Sequence, residues 1–262
     1  MATEPYSGNE IRQWINVSSV KIWKDIRAAG FSLLVRYLPL WVALLLGIGI
    51  IYSISIGNKP SHLFKEGRLF TQLSGQLLLF TGFVCLHIFS LRKREMGPQR
   101  ANGKSNWYHG IWIIMGLSFI YLFLDEVACF HEKIGDLIQY YTPEKGLMEE
   151  RYDSVVVGSY GVLAVLTLAI FHREVLHFRT YWHYYFWASL LFCSMVICDF
   201  LTEDKQILEL VFTKESWVDG TFLFLEMFED YSKILAIAIY FRGFLAIRYD
   251  LKNGNLRSRV KT

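Results

Sequence analysis

Six long apolar blocks dominate the sequence, at about 31–56, 69–91, 108–130, 154–171, 181–201 and 221–241. A helix needs about 20 apolar residues to cross a hydrocarbon core, and in lipid its backbone must satisfy its own hydrogen bonds. The blocks therefore predict an all-α, polytopic membrane helix bundle with six transmembrane helices. Composition agrees, with 53% hydrophobic and only 19% charged residues, against about 25% charged in soluble domains. The sixth helix is expected to continue toward residue 247, so the membrane domain is read as 31–247. The fourth block is the shortest, and its Gly158, Ser159 and Gly161 would permit close helix packing.

The flanking segments differ in character. Residues 10–29 place Ile11, Ile15, Ile22 and Ile26 at helical spacing beside Trp14 and Trp23, with Arg12, Lys21, Lys24 and Arg27 as the basic part. That pattern predicts an N-terminal interfacial amphipathic helix within the cytoplasmic segment 1–30. Residues 248–262 form a basic tail. No cleavable signal pattern is visible, so the first apolar block is expected to remain in the mature protein.

Charge in the connecting segments orients the bundle. With the N-terminus inside, the inner segments hold 17 Lys and Arg and the outer ones 8. Acidic residues run the other way, 6 inside and 12 outside. The positive-inside rule then places both termini in the cytoplasm, and the expected location is a bacterial cytoplasmic (inner) membrane. Residues 131–141 carry Ile134, Leu137, Ile138 and Tyr141 at helical spacing and are read as a continuation of the third helix or an interfacial segment that ends by Pro143.

Charged residues inside a span cost about 2.5–3.5 kcal/mol each at the helix centre on insertion scales, so those present carry information. The third block ends in Asp125, Glu126, His131 and Glu132. The fifth ends in Asp199, Glu203 and Asp204, and the sixth holds Glu226, Glu229, Asp230 and Lys233. The topology gathers all three groups in the outer half of the membrane, with Glu226 roughly 9 Å and Asp230 roughly 15 Å into the sixth span at 1.5 Å per residue. Asp125, Cys129 and Glu132 would share one helical face, and Glu226, Glu229, Asp230 and Lys233 another. Lys233 is placed to reach Asp230 or Glu229.

One His among several carboxylates suits a divalent metal ion of hard or borderline character. The same set suits protons held on desolvated carboxyl groups. The candidate metal- or proton-binding residues are therefore Asp125, Glu126, His131, Glu132, Glu226, Glu229 and Asp230, with Lys233 as charge partner. Asp199, Glu203 and Asp204 are secondary, because acids at helix ends commonly face water. The inner side carries His87, His109, His172, His177 and His183. His172 and His177 would lie about 140° apart around a helix, which speaks for solvated side chains rather than a ligand set. Cys129 and Cys198 fall on the same side of the membrane, where a disulfide is geometrically open.

The pairing of FLDEVACFHE with LEMFEDYSKILA resembles an uncharacterised class of bacterial multi-span proteins that has an LDE…HE segment followed by an acidic late span. That class carries no established activity. A looser analogy links the chain to the alkaline ceramidase and adiponectin receptor membrane hydrolases, which implies a polar metal site among the helices. Their pattern needs an Asp, a Ser and three His around zinc. This chain has only His131 beside its acidic cluster and no HxxxH in a late span.

Three functional classes remain open from sequence. They are a membrane-embedded metal-dependent enzyme acting on a lipid-like substrate, an ion- or proton-coupled transporter or channel, and a non-catalytic subunit of a larger membrane complex. The expected partners are membrane lipids together with other subunits or further copies of the chain. P-loop, dinucleotide-binding, nucleophile-elbow and HExxH motifs are lacking, so whether the protein is an enzyme stays open. Nucleic acid is not an expected partner, because topology accounts for the basic residues.

Overall fold

The computed structural model of the protein describes residues 33, 35–55, 69–95, 107–141, 152–202, 205–212 and 214–254. The chain divides into units 1–38 and 39–262, and the architecture below is that of the second. The expected amphipathic helix over 10–29, Glu203, Asp204 and the tail beyond residue 254 lie outside the described residues.

All regular structure among the described residues is helical. The helices are α1 (Leu38–Ser55), α2 (Leu69–Glu95), α3 (Ile111–Ala128), α4 (Phe130–Tyr141), α5 (Tyr152–Ile170), α6 (His172–His177), α7 (Trp182–Thr202), α8 (Lys205–Val211) and α9 (Glu215–Lys252). Short 3-10 turns precede α3 and α7, at Trp107–Gly110 and Arg179–Tyr181. Each apolar block thus falls on a helix. Three helical stretches among the described residues are long and apolar enough to cross a membrane, namely Phe70–Glu95, Trp107–Ala128 and Arg179–Thr202. The apolar helices Leu38–Tyr52 and Val155–Ile170 are shorter, and the apolar run of the continuous helix α9 is broken by charged residues such as Glu226, Glu229, Asp230 and Lys233. Large apolar side chains face outward along several helices, among them Ile51, Val165 and Phe186. Apolar exposure on that scale marks a surface whose surroundings are not bulk water.

The core is built by α2, α3, α7 and α9. α2 and α3 run antiparallel. Phe89 stacks on His109 at one end, and the Ser74 hydroxyl donates to Glu126 at the other. Between these points the two backbones cross at glycines. A Cβ on Gly82 would lie 2.8 Å from the Gly116 carbonyl oxygen, and one on Gly116 would lie 3.1 Å from the Gly82 carbonyl oxygen. Only residues without side chains permit that approach.

α9 runs antiparallel to both α3 and α7. Against α3 it places Lys233 beside Glu126, Tyr240 beside Phe119 and Phe244 beside Trp112. Against α7 it places Tyr240 on Ser189, through a 2.6 Å hydroxyl pair, and Gly243 under Tyr184. At the far end the Tyr181 hydroxyl donates to Asp250. The C-terminal ends of α3 and α7 and the first half of α9 therefore meet at one end of the bundle.

The glycine crossing generates a prediction. Gly82→Val should lower the unfolding midpoint in detergent by an amount worth about 1–3 kcal/mol, the usual cost of overpacking. Gly161→Ala, where nothing lies within 4 Å of the new Cβ, should be neutral or slightly stabilising. Equal effects at the two sites would refute a tight α2–α3 crossing.

Candidate functional site: a carboxylate, lysine and histidine centre

The segment LDEVACFHE builds the site through a break in the helix. At Cys129 the chain enters the left-handed region (φ 50°, ψ 49°), while its N–H still bonds the Asp125 carbonyl at 2.7 Å. That conformation is costly for a non-glycine residue and needs outside support. Two side chains supply it. Lys133 donates to the Ala128 carbonyl at 2.7 Å, satisfying one of the carbonyls left open at the end of α3. Asp125 Oδ1 accepts the His131 backbone N–H at 2.8 Å, so the last turn of α3 caps the first turn of α4. The chain consequently folds back. The Phe130 and Tyr121 rings come within 6.5 Å, whereas nine residues of continuous helix rise about 13.5 Å.

This break bears on two expectations. Of the two readings of residues 131–141, continuation of the third helix is excluded while the interfacial one stays open, and Asp125, Cys129 and Glu132 do not share a helical face. Glu132 is half exposed and stands 4.0 Å from His131 Nε2. Asp125 is buried at 6% exposure, and its Oδ2 lies 3.0 Å from His131 Nδ1. A carboxylate on Nδ1 favours the proton there and fixes the orientation of the ring, with Nε2 on the Glu132 side.

Glu126, one residue on, points to a different network. Its Oε1 accepts from Ser74 at 2.8 Å and lies 3.1 Å from Lys233 Nζ, which also donates to Oε2 at 3.2 Å. Lys233 stands 3.6 Å from Asp230 on its own helix. The side chains of Glu126, Lys233 and Asp230 are 14%, 24% and 23% exposed. α3 and α9 thus meet on one ammonium group, and α2 joins the network through Ser74 and Glu126. Glu226 and Glu229 are half-buried on the same helical face of α9 as Asp230 and Lys233, as expected. Glu229 lies within electrostatic range of Asp199 on α7. The expected contact of Lys233 with Asp230 is present; its closer partner, Glu126, had not been expected.

The structure thus brings Glu126, Asp230 and Lys233 together and pairs Asp125 with His131 beside them. Among the described residues, no three His, Cys, Asp or Glu side chains converge as a group that could hold a metal ion. No disulfide joins Cys129 to Cys198, and the four cysteines are thiols. The histidines expected on the inner side disperse. His87 and His183 are exposed, His109 stacks on Phe89, and His172 Nδ1 lies 3.0 Å from the Ala169 carbonyl oxygen. His177 packs edge-on against Phe178.

A second polar cluster at the opposite end of the bundle was not found from sequence. Arg92 at the end of α2 donates from Nε and Nη2 to the two oxygens of Glu174 on α6, at 2.7 and 2.9 Å. Nη1 donates to Glu95 at 2.9 Å, and Trp112 Nε1 donates to Glu174 at 3.1 Å. The guanidinium lies over the Phe178 ring. Burial pushes the Glu174 carboxyl up, but the Arg92 guanidinium, with help from Trp112, outweighs it and holds the group below the ordinary carboxylate range. In the sequence Arg92 is one basic residue among LRKRE and Glu174 one acid in a short connection, so no local pattern distinguishes them.

The chain belongs to the family DUF8692, a domain of unknown function, whose model matches residues 33–247. Neither the curated proteins nor the solved structures yield a match to the chain.

Two predictions follow from this geometry. Asp125→Ala removes the cap of α4 and should cost about 0.5–2 kcal/mol, the range for N-caps. Backbone amides over 130–133 should then exchange faster with deuterium; unchanged exchange would contradict the capping role. Glu174→Gln removes the bidentate partner of Arg92 and leaves it Glu95, and should cost about 1–3 kcal/mol near pH 7, the range for hydrogen bonds to charged groups. Because the folded-state carboxyl is held low, its stabilisation is full above about 4.3, the ordinary value, and fades as pH falls through the lower folded value. The gap in unfolding midpoint between wild type and Glu174→Gln should therefore close on acidification. A gap that stays constant from pH 7 to below that window would refute the linkage.

Proposed function

We propose that this DUF8692 member is a six-span membrane protein with both termini in the cytoplasm, whose polar centre in the outer half of the membrane binds protons. The observation that carries the reading is the place of Lys233. Its ammonium lies between Glu126 and Asp230, where a metal ion bridging the same carboxylates would sit. A resident cation supplied by the chain leaves little room or need for an added one. The antiparallel arrangement of α3 and α7 against α9 fits the alternating topology inferred from charge.

Charge balance gives the proton its role. Lys233 can neutralise one carboxylate of the Glu126–Asp230 pair, while Glu226, Glu229 and Asp199 lie on the same side of the bundle. Uncompensated charge is expensive in such surroundings, which supports protons as the ligand of the centre. The chemistry open to such a centre is reversible protonation coupled to small shifts of α9 against α3. A second reading, proton-coupled transport, is favoured by the Ser189–Tyr240 hydroxyl pair. Tyr240 lies seven residues beyond Lys233, about 10.5 Å further along α9, and offers a polar step toward the cytoplasmic side.

The test is spectroscopic and analytical. The purified protein should carry no stoichiometric divalent metal, and chelator should leave its unfolding midpoint unchanged. Its infrared spectrum at neutral pH should contain a protonated-carboxyl band that Asp230→Asn or Glu229→Gln diminishes. Stoichiometric metal that is lost in Glu126→Gln, or no protonated carboxyl at neutral pH, would overturn the proposal.

A further inference from the structure

α4 presents three separate faces. At 100° per residue, Phe130, Ile134, Leu137 and Tyr141 fall within an arc of about 60°, and all four are exposed. His131, Gly135 and Ile138 form a neighbouring strip that is buried or half-buried. Glu132, Lys133 and Asp136, all exposed, lie on the remaining side. An exposed apolar stripe this narrow, opposite a charged face, is the pattern of a helix lying along a water–hydrocarbon boundary.

The surroundings of the stripe say what covers it. The helix break brings α4 back beside Tyr121 on α3, and α4 packs along α5. At the adjoining helix ends Val127 and Val155 also face outward. Outward apolar side chains of the neighbouring helices therefore adjoin the stripe among the described residues. Four side chains fall well short of the roughly 20–30 residues per side that a stable protein–protein interface uses, whereas acyl chains need no minimum footprint. Tyr140, exposed at the end of the helix and off the stripe, suits the headgroup level, where aromatic rings with polar tips collect.

We infer that α4 is an interfacial anchor: it lies in the outer boundary of the bilayer with Phe130, Ile134, Leu137 and Tyr141 among the acyl chains and Glu132, Lys133 and Asp136 toward water, tethered to α3 by the two Asp125–His131 contacts. This rests on the membrane-spanning reading above and adds a lipid contact surface to it. The same two contacts fix His131 in the first turn of the anchor.

The experiment uses the full chain in phosphatidylcholine–phosphatidylglycerol vesicles, with the photoreactive residue benzoyl-phenylalanine placed singly at positions 132, 134, 136, 137 and 117. Leu117, exposed on α3, is the control for membrane insertion. Variants that elute as the wild type does are irradiated and analysed by intact mass. Lipid adducts are expected at 134, 137 and 117, several-fold above those at 132 and 136. Lipid adducts at 117 with none at 134 and 137, or adducts at 134 and 137 to a second copy of the chain, would overturn the anchor while leaving the spanning reading intact. Absence of lipid adducts at 117 would overturn the spanning reading and the anchor with it.

Discussion

An ammonium group shared by carboxylates on two helices is the interaction on which the rest of the bundle depends. Lys233 sits on a helix that is otherwise largely apolar in its second half, and alone it would oppose insertion into any low-dielectric environment. Glu126 from α3 and Asp230 from α9 make its burial tolerable, and Ser74 from α2 orients Glu126. Each group is costly without the others. The three helices are thereby committed to one register, because sliding α9 by a turn against α3 would strand the charge. Apolar packing in such a bundle is non-directional, so a charge cluster of this kind is the feature best able to specify which helix faces which.

The remainder of the core is consistent with that register. The glycine crossing of α2 on α3 brings their backbones together midway, and Ser74 then falls level with Glu126. The aromatic column Phe119, Tyr240, Phe244 and Trp112 fills the space between α3 and α9. At the other end Arg92, Glu174 and Trp112 form a second satisfied polar cluster, which fixes α6 across α2 and α3. The two ends are built on different principles. The Arg92 cluster commits the guanidinium to a bidentate pair with Glu174 and a further bond to Glu95, which suits a structural clamp. The Lys233 cluster has carboxylates in excess, which suits a site that changes its protonation.

Much of this was legible in the sequence, for reasons of periodicity. The apolar blocks marked where the helices lie, and the phase of Glu226, Glu229, Asp230 and Lys233 was correct because α9 is continuous over Glu215–Lys252. The gathering of acids at one end followed from alternating helix direction. What failed depended on tertiary structure. Cysteine is no helix breaker, so the left-handed turn at Cys129 had no local signal; it is held by Asp125 and Lys133, which act only once the chain has turned. The Glu126–Lys233 and Arg92–Glu174 pairs join residues far apart in the chain, and helical phase cannot reveal a partner on another helix. Sequence had offered Lys233 the neighbours on its own helix, and the better partner came from α3.

The central claim, that Lys233 and Glu126 neutralise each other across α3 and α9, is tested most directly by a double-mutant cycle on unfolding stability. The account predicts that Lys233→Met and Glu126→Gln each destabilise strongly, while the double variant loses much less than their sum, with a coupling of about 0.5–3 kcal/mol or more. Additive losses, with no coupling between the two positions, would contradict it.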